Sequence, residues 1–155
     1  MLARAGEHYS LTVQDIIPRL KTSLEKYLFK DAPAATEPSI VEFTDQIQAG
    51  DLCLSVACEH GDSAAWTDLV ERYSTTVRSA ARSAAGNEDA AEDLAQSIWA
   101  ELHGLRLRKD GRPASKLAYY SGRGSLAGWL RAVVAQLAVD QHRKSARLVQ
   151  TEDDA

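Results

Sequence analysis

The feature that most constrains the fold of this chain is the spacing of apolar residues around 90–99. Ala91, Leu94, Ala95, Ile98 and Leu102 recur at intervals of three and four, the period of a helix with one buried stripe. Asp89, Glu92, Asp93, Gln96 and His103 keep the same spacing on the opposite side, so one helix of about 88–103 is expected to carry an acidic outward face. Gly86 ends the element before it and Asn87 is placed to cap it, with Glu88 and Asp89 in the first turn beside the positive pole of the helix.

The rest of the chain repeats this grammar. Asp62 can cap a long helix whose stripe is Ala65, Trp66, Leu69, Val70, Tyr73, Val77, Ala80, Ala81 and Ala84. A shorter helix runs from Asp51 to His60 and stops at Gly61, and Ser125 caps a last one with Leu126, Trp129, Leu130, Val133, Val134 and Leu137 inward. Residues 104–124, with four glycines, a proline and repeated basic side chains, read as a long exposed loop. Upstream, Asp15 is expected to cap a helix reaching about Lys30, with Ile16, Ile17, Leu20, Leu24, Tyr27 and Leu28 inward and Pro18 in its first turn. Residues 31–38 form a linker, and Ser39 with Glu42 matches a capping box opening a short helix that ends near Gly50. No alternating run of strand length appears. The expectation is an all-α fold, with a compact helical domain of about three to four helices over 51–147, an N-terminal helical extension over 1–50, and an acidic tail or linker start over 148–155.

Charge separates along the chain. Residues 1–103 hold 8 Lys+Arg against 17 Asp+Glu, residues 104–147 hold 10 against 2, and the last eight carry three acids and no base. An acidic front and a basic back in one small domain is the footprint of a protein that holds a protein partner and a polyanion separately. Cys53 and Cys58, five apart, point away from each other on a helix and read as buried thiols; Cys58 with His60 is too few ligands for a metal site. No paired carboxylates, nucleophile with base, or phosphate loop stands at a usable spacing, so neither enzyme chemistry nor a cofactor is expected. No stretch is long and apolar enough to span a membrane, and the N-terminus lacks the apolar core of a secretory signal; a cytoplasmic protein is expected.

Three segments together, GDSAAWTDLVERY, AAEDLAQSIWAEL and YSGRGSLAGWLRAVVAQLAVDQHRK, resemble region two of bacterial RNA polymerase sigma factors of the extracytoplasmic-function group. The resemblance spans about 51–147 and implies a transcription initiation factor domain that binds core polymerase and recognises and melts the promoter minus-ten element. It implies that Glu92, Asp93, Gln96 and Ser97 face the clamp helices of the largest polymerase subunit. It implies further that the loop and last helix meet the non-template DNA strand. Lys116, Arg123, Arg131, Arg143, Lys144 and Arg147 would then meet phosphates, Tyr119 and Tyr120 would stack on bases, and Gln136 would reach a base edge. At least one of the two tyrosines is expected in the core, and Trp129 is expected to pack.

Two positions depart from the group. Ala135-Gln136 stands where an Arg-Asn pair is common, and the segment 105–116 is longer than usual. A full factor also carries a linker and a helix-turn-helix module beyond the position of Arg147. These departures leave a second reading open, a sigma-like helical module that titrates a protein partner such as an anti-sigma factor without reading DNA.

Overall fold

The computed structural model describes residues 1–6, 9–104, 107–111 and 114–154, with side chains described as far as residue 150. Its described residues form seven α-helices and one 3-10 turn, and among them no strand element occurs: α1 (Leu2–Ala5), α2 (Val13–Tyr27), α3 (Glu37–Asp45), α4 (Ala49–Glu59), α5 (Ser63–Ala84), α6 (Glu88–His103), the 3-10 turn Lys116–Tyr119, and α7 (Leu126–Asp154). The all-α expectation holds.

Position in the fold follows the width of each helix's apolar surface. Helix α4 is apolar on nearly every side, with Ala49 and all of Leu52 to Ala57 buried, and such a helix can only sit at the centre. It is surrounded by α1, α2, α5 and the 3-10 turn. Helix α5 has one stripe and acts as a spine: Ala65, Leu69, Val77 and Ala81 are buried, and the helix packs against both α6 and α7. The alanines at 65, 81, 91 and 95 let these axes approach closely. On α6 the buried set is Ala91, Leu94, Ala95, Ile98 and Leu102, the same five that periodicity selects.

Local caps fix where the helices begin. The Asp62 carboxylate accepts from the Ala65 amide at 3.0 Å, and the Asn87 side-chain oxygen from the Ala90 amide at 2.8 Å. Ser125 Oγ accepts from the Gly128 amide at 3.0 Å. Helix α7 has a second anchor from outside itself, because its Leu126 amide donates to Asp51 Oδ2 of α4 at 2.9 Å while Tyr73 of α5 donates its hydroxyl to Asp51 Oδ1 at 3.1 Å. One carboxylate thus joins three helices.

Several boundaries differ from the sequence reading. Helix α2 starts at Val13, and Asp15 is not its cap but its third residue, accepting from the Thr12 amide at 2.7 Å and the Thr12 hydroxyl at 3.0 Å. Pro18 therefore lies in the second turn, where its missing N–H leaves the Gln14 carbonyl without an intrahelical donor. Ile17 is half exposed rather than inward. Helix α3 begins at Glu37, inside the expected linker, with Thr36 at the N-cap and Ser39 one turn in. Helix α4 takes in residues 49 and 50, and α7 continues through the expected tail to Asp154. Ala84 is exposed. The first fifty residues share the core of the rest: Leu11, Ile16, Phe43 and Ile47 belong to the same apolar cluster as Leu52 and Leu126.

Burial pushes the Tyr73 hydroxyl up to about 12, with the Asp51 charge and hydrogen bond adding to it. The folded state therefore holds this proton more tightly than the unfolded chain. The stability this contributes is whole below pH 10 and drains as pH rises from 10 towards 12. Urea melts of Tyr73→Phe should show a shallower loss over that window than wild type. Asp51→Ala, which strands both donors, should cost about 2 kcal/mol at pH 7.

A candidate two-sided binding surface

Helix α6 presents the first side. At 100° per residue, Asp89, Asp93 and Gln96 lie within about 40° of the direction opposite the buried stripe, with Glu92 and Ser97 flanking them. Glu92, Asp93 and Gln96 are exposed and Ser97 is half-buried. The Gln96 amide donates to Glu92 Oε1 at 3.4 Å, a long contact that leaves it free to reorient. Ser97 spends its hydroxyl proton on the Asp93 carbonyl at 2.9 Å, so towards a partner it can only accept. The end of the face is stiffened by Trp66 of α5, which meets Trp99 and His103 edge to face with centroids 6.1 and 5.3 Å away.

The second side is built from the loop and α7, and the loop departs most from expectation. Its described C-terminal half is not an exposed loop: Ser115, Leu117, Tyr120 and Gly122 are buried. Ser115 donates to the Leu102 carbonyl and accepts from the Leu117 amide, starting the 3-10 turn that drives Leu117 into the core. Tyr120 is 2% exposed, donates its hydroxyl to the Gly124 carbonyl and packs its ring 5.8 Å from that of Trp129. As folded it offers no free face for a base, and Tyr120 is a core residue. Tyr119, its neighbour, is 78% exposed. Lys116 is half-buried.

Arg123 lies on the surface with its guanidinium 4.7 Å from the Tyr27 ring centroid and 5.5 Å from that of Phe43, both from the N-terminal extension. Along α7, Arg131, Gln136, Arg143, Lys144 and Arg147 are all exposed. They do not share one line. Gln136, Arg143 and Arg147 fall within about 40° of one another around the helix, while Arg131 sits roughly 140° away from Gln136 across the exposed stripe. The Gln136 amide donates to Asp140 Oδ1 at 3.0 Å, which engages one of its two N–H groups within its own helix.

Sequence reasoning missed the residue that holds the loop in place. Arg19 of α2 donates to Glu59 Oε2 of α4 at 2.7 Å, to Ser55 Oγ at 3.2 Å, and to the carbonyls of Leu117 and Tyr120, each at 2.7 Å. Its pKa is lowered by burial, with Glu59 opposing. Glu59, whose side chain is 10% exposed, takes a second cation in Arg108 at 3.1 Å. The extension adds two more bonds to the loop, from Ser23 Oγ to the Ser121 carbonyl at 3.1 Å and from the Gln48 amide to the Gly122 carbonyl at 2.7 Å. Gly122 has φ 82°, and a Cβ there would fall 2.9 Å from Ile47 Cγ2, so only glycine fits this turn against the extension. The one signal in the sequence is spacing: Ile16, Arg19, Leu20, Ser23 and Tyr27 share a helical face, with two polar residues inside it.

Cys53 is buried and Cys58 half-buried, both free, and burial pushes the Cys58 thiol up to about 12. Among the described residues no group of three His, Cys, Asp or Glu side chains is placed to hold a metal ion, and no helix is long and apolar enough to cross a membrane. No protein-family model, curated protein or solved structure matches the chain.

Arg19→Met removes one partner of a buried ion pair and takes the Arg19 donor from the Tyr120 carbonyl, while the Leu117 carbonyl keeps Ser55 Oγ and the Tyr120 amide. With Arg108 still beside Glu59, the expected loss in urea unfolding is about 3 kcal/mol. Lys21→Met, an exposed control on the same helix, should cost less than about 0.5 kcal/mol.

Proposed function

We propose that this chain is a sigma-like transcription initiation domain that docks on core RNA polymerase through the outward face of α6 and holds the non-template strand of a promoter minus-ten element on the loop and α7. One observation carries the reading. Carboxylates and an amide cover α6, cations and an exposed tyrosine cover the loop and α7, and both elements are braced on the single spine α5. Such a body can bind a basic protein surface and a polyanion at once without one displacing the other. The chemistry suits each side: Asp93 and Glu92 for cations of the clamp helices, Gln96 for a hydrogen bond made either way, Arg131, Arg143, Lys144 and Arg147 for phosphates, and Tyr119 for a base.

A second reading has its own support. Tyr120 is in the core and one N–H of the Gln136 amide is held by Asp140, so one of the groups suited to base recognition is buried and another is partly engaged. Beyond Ala138, α7 from Val139 to Gln150 has no buried residue, and Val139, Leu148 and Val149 are exposed apolar side chains on it. This favours a module that titrates a protein partner such as an anti-sigma factor.

Binding to a labelled minus-ten non-template oligonucleotide, titrated across salt, separates the two. The first reading predicts sequence-dependent binding whose salt slope falls by about 1 for each of Arg131→Ala and Arg143→Ala. It also predicts that Asp93→Arg, or Gln96 replaced by a bulky apolar residue, abolishes capture of core polymerase while the helical circular dichroism stays unchanged. Sequence-independent or absent oligonucleotide binding contradicts it.

A further inference from the structure

The N-terminal extension has a surface that the reading above does not use. Between α2 and the loop lies a small cleft of about 70 Å³, and among the residues lining it are Arg19, Thr22, Ser23, Lys26, Tyr27 and Tyr119. Its floor is polar and fixed. Arg19 and Ser23 are committed to the loop carbonyls of Leu117, Tyr120 and Ser121, so the two walls cannot drift apart without breaking three hydrogen bonds. Its rims are different in kind: Lys26, exposed, on the α2 side, and Tyr119, at 78% exposure, on the loop side.

The charge around the cleft is positive. Lys26 Nζ lies 5.3 Å from the Tyr27 ring centroid and the Arg123 guanidinium 4.7 Å from the same centroid, so two cations gather at one ring beside the cleft. The nearby carboxylate of Glu59 is neutralised from both oxygens, by Arg19 and Arg108. A pair of cations next to an exposed aromatic plane is the combination that holds single-stranded nucleic acid, with phosphates on the cations and a base on the ring. At about 70 Å³ the cleft has the space of roughly two waters, so a nucleotide lies across its mouth rather than inside it.

We infer that α2 forms part of the nucleic-acid surface: Lys26 contacts a phosphate and Tyr119, across the cleft, stacks on an adjoining base of a single strand. The inference rests on the reading of the loop as a DNA-binding element, and it extends that surface from the C-terminal half of the chain to the N-terminal extension. An acidic peptide would use the same cations but gains nothing from the ring of Tyr119.

The test uses the full chain and a short fluorescently labelled single-stranded DNA, measured by anisotropy at several salt concentrations. Lys26→Ala should weaken binding several-fold and lower the salt slope by about 1, Tyr119→Ala should weaken it about tenfold with the slope unchanged, and Lys21→Ala should match wild type. All three side chains are exposed, so thermal midpoints should not move. Binding that depends on Arg131, Arg143 and Tyr119 but is unaffected by Lys26→Ala overturns this inference and leaves the loop and α7 reading in place. No binding by wild type overturns both. Poly-glutamate that competes fully, with Lys26→Ala weakening both ligands and Tyr119→Ala neither, overturns the assignment to nucleic acid.

Discussion

The buried guanidinium of Arg19 is the contact on which the arrangement of both halves depends. It comes from α2, pairs with Glu59 of the central helix α4, and ends on carbonyls of Leu117 and Tyr120 about a hundred positions later in the chain. A charge taken out of water is costly unless its donors are filled, and here a carboxylate, a hydroxyl and two carbonyls fill them. The result is that residues 114–124, in which the 3-10 turn is four residues long, take a fixed course. Leu117 and Tyr120 go inward, Tyr119 goes outward, and Gly122 turns the chain into the cap of α7 where Asp51 receives its first amide.

That dependence explains what could be read from the sequence and what could not. The buried stripe of α6 and the N-caps of α5 and α6 are legible in the sequence because their signals are local: Asp62 and Asn87 cap within three residues, and the apolar residues of α6 repeat at helical spacing, whereas the α5 stripe runs one residue too far, to the exposed Ala84. Helix α2 was misplaced because an aspartate three residues into a helix and an aspartate at its cap look alike until Thr12 is seen donating to it. The loop was misread for a stronger reason. The partners that bury it lie far upstream, Arg19 and Ser23 by 98 residues and Gln48 in the turn before α4, and nothing within the segment announces them. Arg19 itself was hidden because an apolar-periodicity argument skips polar residues on an inward face.

The two faces differ in how they are held. The acidic groups of α6 stand on a helix packed along its full stripe, with Trp66, Trp99 and His103 interlocked at one end. The exposed cations of the basic half are divided between a loop pinned by the extension and a long helix whose described buried side chains all lie before Val139.

In the function proposed above, these two faces act at the same time from one folded body. The most direct measurement is analytical ultracentrifugation of the chain with core RNA polymerase and a labelled minus-ten non-template oligonucleotide. The account predicts that the oligonucleotide co-sediments with polymerase only when the chain is present, at one copy of each. It further predicts that Asp93→Arg removes the polymerase from that complex while the chain keeps the oligonucleotide. If polymerase and oligonucleotide instead displace one another from the chain, the two-sided reading is wrong.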